Sequence, residues 1–176
     1  DPIEKEIATI PVDVNVERFD LGFKNAQPSE LPKLKQAYPF MFSERIPDSL
    51  WVMRMNDTLQ QLLASEVEKT FNNFQSVEDD IEGLFQHLKY YDKTFKEPRI
   101  ITVTSDVDYR SKTIVTDTIV IIALDTYLGA NHEFYVDIPK YITQNMEKSQ
   151  VVSDLATNYS DKYIFQVRLT NGLCHG

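Results

Sequence analysis

The run Ile119-Val120-Ile121-Ile122-Ala123-Leu124 carries no polar side chain. It is the longest apolar stretch in the chain and has the length of a strand, far short of the roughly 20 residues that span a bilayer. A strand with no polar face buries both faces, as a central strand does in a sheet covered on each side. Its neighbours read as strands too. Ile100 to Thr104 and Thr113 to Thr116 are rich in β-branched residues, and Val12, Val14 and Val16 alternate with Asp13, Asn15 and Glu17. That first segment predicts a half-buried strand, with Pro11 at its start, where a missing donor is tolerated.

Helices to cover such a sheet are also written in the chain. After Asn56-Asp57, the residues Leu59, Leu62, Leu63, Val67 and Phe71 share one helical face. Ser76 precedes the acids Glu78, Asp79 and Asp80, which favour a helix N-terminus, and Val77, Ile81, Leu84, Leu88, Tyr91 and Phe95 follow at steps of three and four. Ser149 predicts the cap of a last helix with Val152, Leu155, Ala156, Tyr159, Tyr163 and Val167 on one face. A short helix is expected from Ser29 to Tyr38, capped by Ser29, and Tyr38 to Phe42 reads as a loop pinned into the core by its aromatics. Gly129 marks a turn or helix end, and Trp51, Val52, Met53 and Met55 follow Pro47-Asp48-Ser49. The expected fold is α/β (α+β), a mixed sheet packed by several amphipathic helices. No repeat or linker divides residues 1–176, so one unit is expected.

Composition removes several function classes. A length of 176 residues suits one domain, and 42% hydrophobic with 26% charged residues is ordinary globular usage. Against 27 acidic residues stand 18 basic ones, a formal charge of −9 with no basic stripe, which argues against nucleic acid and against an anionic membrane surface. The one cysteine, Cys174, excludes an intrachain disulfide and leaves the redox compartment open. The chain starts at Asp1 and ends at Leu173-Cys174-His175-Gly176, so truncation at both ends is expected.

The chemistry-bearing candidates are few. A protease-type zinc helix needs two His four apart with Glu beside the first. His132-Glu133 starts that pattern but position 136 is Val136, and His87 has Gly83 and Tyr91 at the same spacing. Both are expected to be structural or surface histidines. Asp106-Val107-Asp108 resembles the opening of a calcium loop, yet Arg110 and Ser111 stand where a ligand and a glycine are needed, so a solvated loop is expected. Asp125 follows the apolar strand, where polar residues line clefts in α/β sheets; capping a helix with Thr126 is the favoured alternative. With five glycines the chain holds no phosphate loop, nucleophile elbow or redox pair, and Cys174-His175 is a pair in sequence only. No catalytic, metal or cofactor residue is assigned.

The strings Thr102-Val103-Thr104-Ser105-Asp106-Val107-Asp108-Tyr109-Arg110 and Ile122-Ala123-Leu124-Asp125-Thr126-Tyr127-Leu128-Gly129 resemble the gliding-motility lipoprotein family GldB. Ile10-Pro11-Val12-Asp13-Val14, Glu17-Arg18-Phe19, Tyr38-Pro39-Phe40, His132-x-Phe134-Tyr135 and Ile138-Pro139-x-Tyr141-Ile142 extend the resemblance over nearly the whole chain. It implies an envelope lipoprotein required for gliding, anchored by an acylated N-terminal cysteine that is not in this sequence, facing the periplasm, with other gliding-machinery or envelope proteins as partners. Family members are longer and continue past Cys174, so this chain is expected to be the N-terminal part of a longer peptidase-like domain whose last helix lacks part of its packing surface. The family is also similar to zinc metallopeptidases of zincin type, in which a helix after the sheet carries His-Glu-x-x-His. Aligned on Val151-Val152-Ser153-Asp154-Leu155-Ala156-Thr157-Asn158, the ligand positions fall on Ser153 and Thr157 and the base on Asp154. Hydroxyls are not ordinary zinc ligands, so a degenerate, non-catalytic module is expected. The alternatives are a metal-dependent hydrolase completed by a missing C-terminal part, or a peptide- or glycan-binding module using a cleft near Asp125 and Tyr127.

Overall fold

The apolar run folds as strand β4 (Ile119–Ala123), flanked by β2 (Arg99–Val103) and β3 (Thr113–Val115). With β1 (Val16–Glu17) the order is β1-β2-β4-β3, in which β1, β2 and β4 are parallel and β3 is antiparallel to β4. The computed structural model describes residues 1–173. Ile101 pairs with Ile121 and Ile114 with Ile121, so β4 has a neighbour on each side and is internal, as its composition requires. Among the described residues eight α-helices surround this sheet, an α+β fold.

The alternation of side chains sorts the core into two layers. Ile100, Val120 and Ile122 face α5 (Thr58–Thr70), α6 (Gln75–Tyr91) and α8 (Val151–Leu173), packing with Val67, Phe71, Ile81, Phe85, Leu155 and Tyr159. Ile101, Val103 and Ala123 face the other way, onto Phe19 of α2 (Phe19–Asn25), Leu31 of α3 (Leu31–Ala37), Phe42 and Met55 of α4 (Asp48–Asn56). The Tyr38–Phe42 segment is pinned by aromatics as expected, with Tyr38 at 5.0 Å and Phe42 at 5.8 Å from Phe19 between ring centroids. Helix α5 starts where Asp57 accepts from the amides of Leu59 (2.8 Å) and Gln60 (3.3 Å). At its far end Arg18 donates to the Phe71 carbonyl (2.8 Å) and Lys148 to that of Thr70 (3.4 Å), cations meeting carbonyls left over by the last turn.

Several expectations need correction. The strand predicted over Val12 to Val16 pairs only at Val16–Glu17, because β2 starts at Arg99 and offers no ladder to the residues before Asn15. Val12, Val14 and Val16 still pack on the core, so the alternation reported burial and not pairing. Ser29 caps nothing: a 3-10 turn (Pro28–Glu30) precedes α3, and Glu30 reaches back to the Gln27 amide at 2.9 Å. Ser149 sits inside a 3-10 turn (Lys148–Gln150) before α8. On α8 the buried stripe is Val151, Leu155 and Tyr159, whereas Ala156 and Val167 are exposed. Tyr91 points outward, and Phe95 lies beyond α6 while packing at 5.4 Å from Phe85. Helix α1 (Pro2–Ile7), capped by Asp1, and helix α4 were not foreseen. The short α7 (Lys140–Thr143) completes the set.

Candidate functional site

Parallel strands β2 and β4 end side by side at Val103 and Ala123, and the chain leaving them builds the region where open α/β sheets place ligands. Beyond β2, Asp106 (φ 56°) and Val107 (φ 58°) both adopt left-handed backbone. For a β-branched residue this is a genuine outlier, and such strain persists only where the surroundings over-determine it. Here Asp125 does so. Its side chain is fully buried and accepts from the amides of Ser105 (3.0 Å) and Val107 (2.6 Å) and from the Ser105 hydroxyl (3.3 Å). Burial pushes the Asp125 carboxyl above the usual carboxylate range, while the amide donors of Val107 and Ser105 pull it back in part.

Asp125 is therefore neither the helix cap nor the cleft-lining residue that its position suggested. It is a clamp across the sheet's end, and Thr126 bonds instead to the Ala123 carbonyl at 2.7 Å. Tyr135 fixes the same segment from outside, donating to the Asp125 carbonyl (2.5 Å) and accepting from the Leu128 amide (3.0 Å). Its role has no local sequence signal, because its partners are backbone atoms of another turn.

Asp154 of α8 joins a second cluster. It accepts from the Tyr127 hydroxyl (2.5 Å) and pairs with Lys112 (2.8 Å), whose ammonium also lies 5.2 Å from the Tyr127 ring centroid. Burial, with Asp154 beside it, drives the Tyr127 phenol far above its ordinary range, so it stays a donor. Ser153 and Thr157 face solvent, with the Thr157 hydroxyl bonded to the Ser153 carbonyl (3.0 Å), and Asn158 ties α8 to the Thr113 carbonyl (3.0 Å). Among the described residues no three of His, Cys, Asp and Glu converge on one point.

The two described histidines are occupied. His132 accepts the Phe134 amide on Nδ1 (3.1 Å) and so donates from Nε2 to Glu66 (3.2 Å), holding that carboxyl below its usual range. His87 lies 2.6 Å from the Gly83 carbonyl and 3.0 Å from Glu4. The carbonyl first and Glu4 second raise its pKa, joining α6 to α1. Asp108 serves its own turn, accepting from the Arg110 amide (3.2 Å), as a solvated loop would. Cys174 and His175 lie outside the described residues.

Next to the strained turn, a cavity of about 230 Å³ opens among α2, α4 and α5. Phe19, Phe23, Trp51 and Met55 form apolar walls, and Lys24, Arg54 and Gln60 are among its polar groups. Asp106 reaches Gln60 (2.5 Å) and Arg54 (3.3 Å), so the turn and the cavity wall are bonded to each other. Nothing in the sequence pointed here, because the wall is assembled from segments whose apolar residues read only as core.

The family model described as gliding motility protein GldB matches residues 1–172. The chain belongs to this family. The resemblance read from the sequence thus stands, and the two strings that carry it most specifically meet in space, since Asp125 of one clamps Ser105 and Val107 of the other. GldB is a gliding-motility family designated as lipoprotein, which suggests a membrane-anchored envelope protein with partners in the gliding machinery. No helix among the described residues is long and apolar enough to cross a membrane. No curated protein and no solved structure matches the chain.

Proposed function

We propose that this chain is a non-catalytic structural and interaction module of the gliding machinery, held at the cell envelope by a lipid anchor and facing the periplasm. The observation that carries this reading is the surroundings of Asp154. At the position where a peptidase helix would place a free general base, Asp154 is bonded to Lys112 and Tyr127 and joins α8 to the strand end. The flanking positions hold solvent-facing hydroxyls, Ser153 and Thr157, in place of imidazole, thiolate or carboxylate. A base must be free to take a proton from water or substrate, whereas this carboxylate takes Tyr127 and Lys112 on Oδ2 and Gln150 Nε2 at 3.5 Å on Oδ1. Its chemistry is that of a strut.

Elemental analysis of the full-length protein purified without chelator tests this, beside a Ser153→Ala, Asp154→Asn double variant. The expected result is no stoichiometric metal in either. About one zinc per chain, lost in the variant, would instead establish the metal-dependent hydrolase. The cavity beside the strained turn favours a second reading, a peptide-binding module, which agrees with a role exercised through surfaces.

A further inference from the structure

We propose that the cavity between the turn after α6, the β3–β4 turn and α8 binds one ring of a neutral saccharide, with its hydroxyls on Tyr159, Asp92 and Gln166 and its C–H face against Phe95. This goes beyond the reading above and stands whichever way the metal analysis falls. The first observation is an orphaned hydroxyl. Tyr159 is 3% exposed, and among the described residues its phenol oxygen is one of two buried side-chain polar atoms with no hydrogen-bond partner. The large majority of buried polar atoms are bonded, so one that is not calls for a reason. The Tyr159 ring stands edge-on to Phe85 (6.5 Å between centroids) and Phe95 (5.9 Å), and its hydroxyl end feels Tyr163 and Asp117, which both stand in the cavity wall. Burial keeps the phenol protonated, so it is a donor with nothing to donate to. Its oxygen is covered, and a ligand reaches it by moving the wall, whose Lys96, Thr118 and Gln166 are exposed side chains that change rotamer readily.

Size and charge narrow the occupant. The cavity holds about 340 Å³, inside the range of about 300–1,000 Å³ that small-molecule sites occupy. Two acids, Asp92 and Asp117, face two ammonium groups, Lys96 and Lys162, so the charges of the wall cancel. Asp117 pairs with Lys162, and Asp92 accepts from the Thr94 amide (2.9 Å), the Thr94 hydroxyl (2.6 Å) and the Tyr163 hydroxyl (3.0 Å). An anion placed here would meet both carboxylates, a cation both ammonium groups, and an apolar molecule would strip water from all of them.

Hydrogen-bonding chemistry selects among neutral molecules. Tyr159 and Lys96 donate, the ionised carboxylates of Asp92 and Asp117 accept, and the Gln166 amide does both. A hydroxyl gives and takes at one atom, so a ring bearing several matches such a wall, and Phe95 offers the flat apolar surface for its C–H side. A peptide captured from solution needs a free strand edge or apolar pockets for alternate side chains. Here the edge strand β3 is already engaged by Asn158 at the Thr113 carbonyl (3.0 Å), and among the described residues Phe95 is the wall's one wholly apolar side chain.

Titration calorimetry of the chain with maltotriose, cellotriose and triacetylchitotriose tests this, beside the anionic trigalacturonate and the peptide acetyl-Ala-Ala-Ala-amide. At least one neutral trisaccharide is expected to saturate with Kd at or below about 1 mM, with little change between about 50 mM and 500 mM salt. Tyr159→Phe is expected to weaken that binding about tenfold while leaving the urea midpoint unchanged or higher, because the fold itself gives this hydroxyl no partner. Lys96→Gln, which keeps a donor and removes the charge, is expected to hold affinity within about twofold. Absence of saturation by all three sugars up to about 10 mM, tighter binding of trigalacturonate or the peptide than of any neutral sugar, unchanged affinity in Tyr159→Phe, or a lowered urea midpoint in that variant would each overturn the proposal.

Discussion

At the scale of single residues, one carboxylate does what no helix or strand can do here. Asp125 supplies the acceptors for two amides and a hydroxyl in a turn that local preference opposes. Removing it leaves buried donors unmatched, so Asp125→Ala is expected to cost about 2–4 kcal/mol, read as a lower urea midpoint with unchanged slope. A loss under about 0.5 kcal/mol, the range of an ordinary surface change, would show that the turn holds itself. Val107 offers the converse test. Its φ of 58° suits glycine or asparagine, and Val107→Asn is expected to stabilise by about 1 kcal/mol. Destabilisation of that size would mean that the valine side chain matters more than its backbone. None of this was legible in advance: Asp125 was noticed because it follows a strand, but its partners lie 18 and 20 residues away and are backbone atoms.

At the scale of elements, the sequence was readable wherever side-chain period reflected a buried face. Strands β2, β3 and β4 and helices α5 and α6 follow from their apolar patterns, because each has one neighbour layer or two and little else to satisfy. Helix α4 was not legible: its apolar residues include Leu50 and Met53, which are exposed, alongside Met55, which is buried, so no single stripe emerges. Helix α8 shows the same difficulty in reverse. Its stripe of Val151, Leu155 and Tyr159 ends in the half-buried Tyr163, and Ile164, Phe165, Val167 and Leu169 then face outward. Leu155→Ala is therefore expected to cost about 2–5 kcal/mol, and Val167→Ala no more than about 0.5 kcal/mol in thermal or urea unfolding. Comparable losses at both would refute the division of the helix. Helix α1 is joined to α6 through His87, whose raised pKa means that the contact with Glu4 is fully present below the unfolded value of about 6.5 and is lost as pH rises through the folded one. Amides of α1 should thus exchange faster at about pH 8 than at about pH 5.5 after correction for intrinsic rates, and Glu4→Gln should shrink that difference.

At the scale of the whole molecule, the two faces of the sheet carry separate aromatic layers, and the buried hydroxyls of Tyr127 and Tyr135 tie neighbouring segments together at the sheet's end. Tyr127, Tyr135 and Tyr159 are almost wholly buried, and burial raises the pKa of each. The sign is that of a proton retained in the folded state and lost in the unfolded one, so stability is full below the unfolded phenol pKa of about 10 and falls as pH rises past it. Three of the nine tyrosines should hold back from ionisation until the fold opens, and spectrophotometric titration together with unfolding should show a common transition. Ionisation of all nine before unfolding would contradict the packing. The role we propose rests on surfaces held by such a frame and not on a reacting group. The direct test is gliding by cells whose only copy carries Asp154→Asn, which keeps an acceptor for Tyr127 and removes the carboxylate that any base chemistry would need. At wild-type abundance and stability the account predicts undiminished gliding, and loss of gliding under those conditions would contradict it.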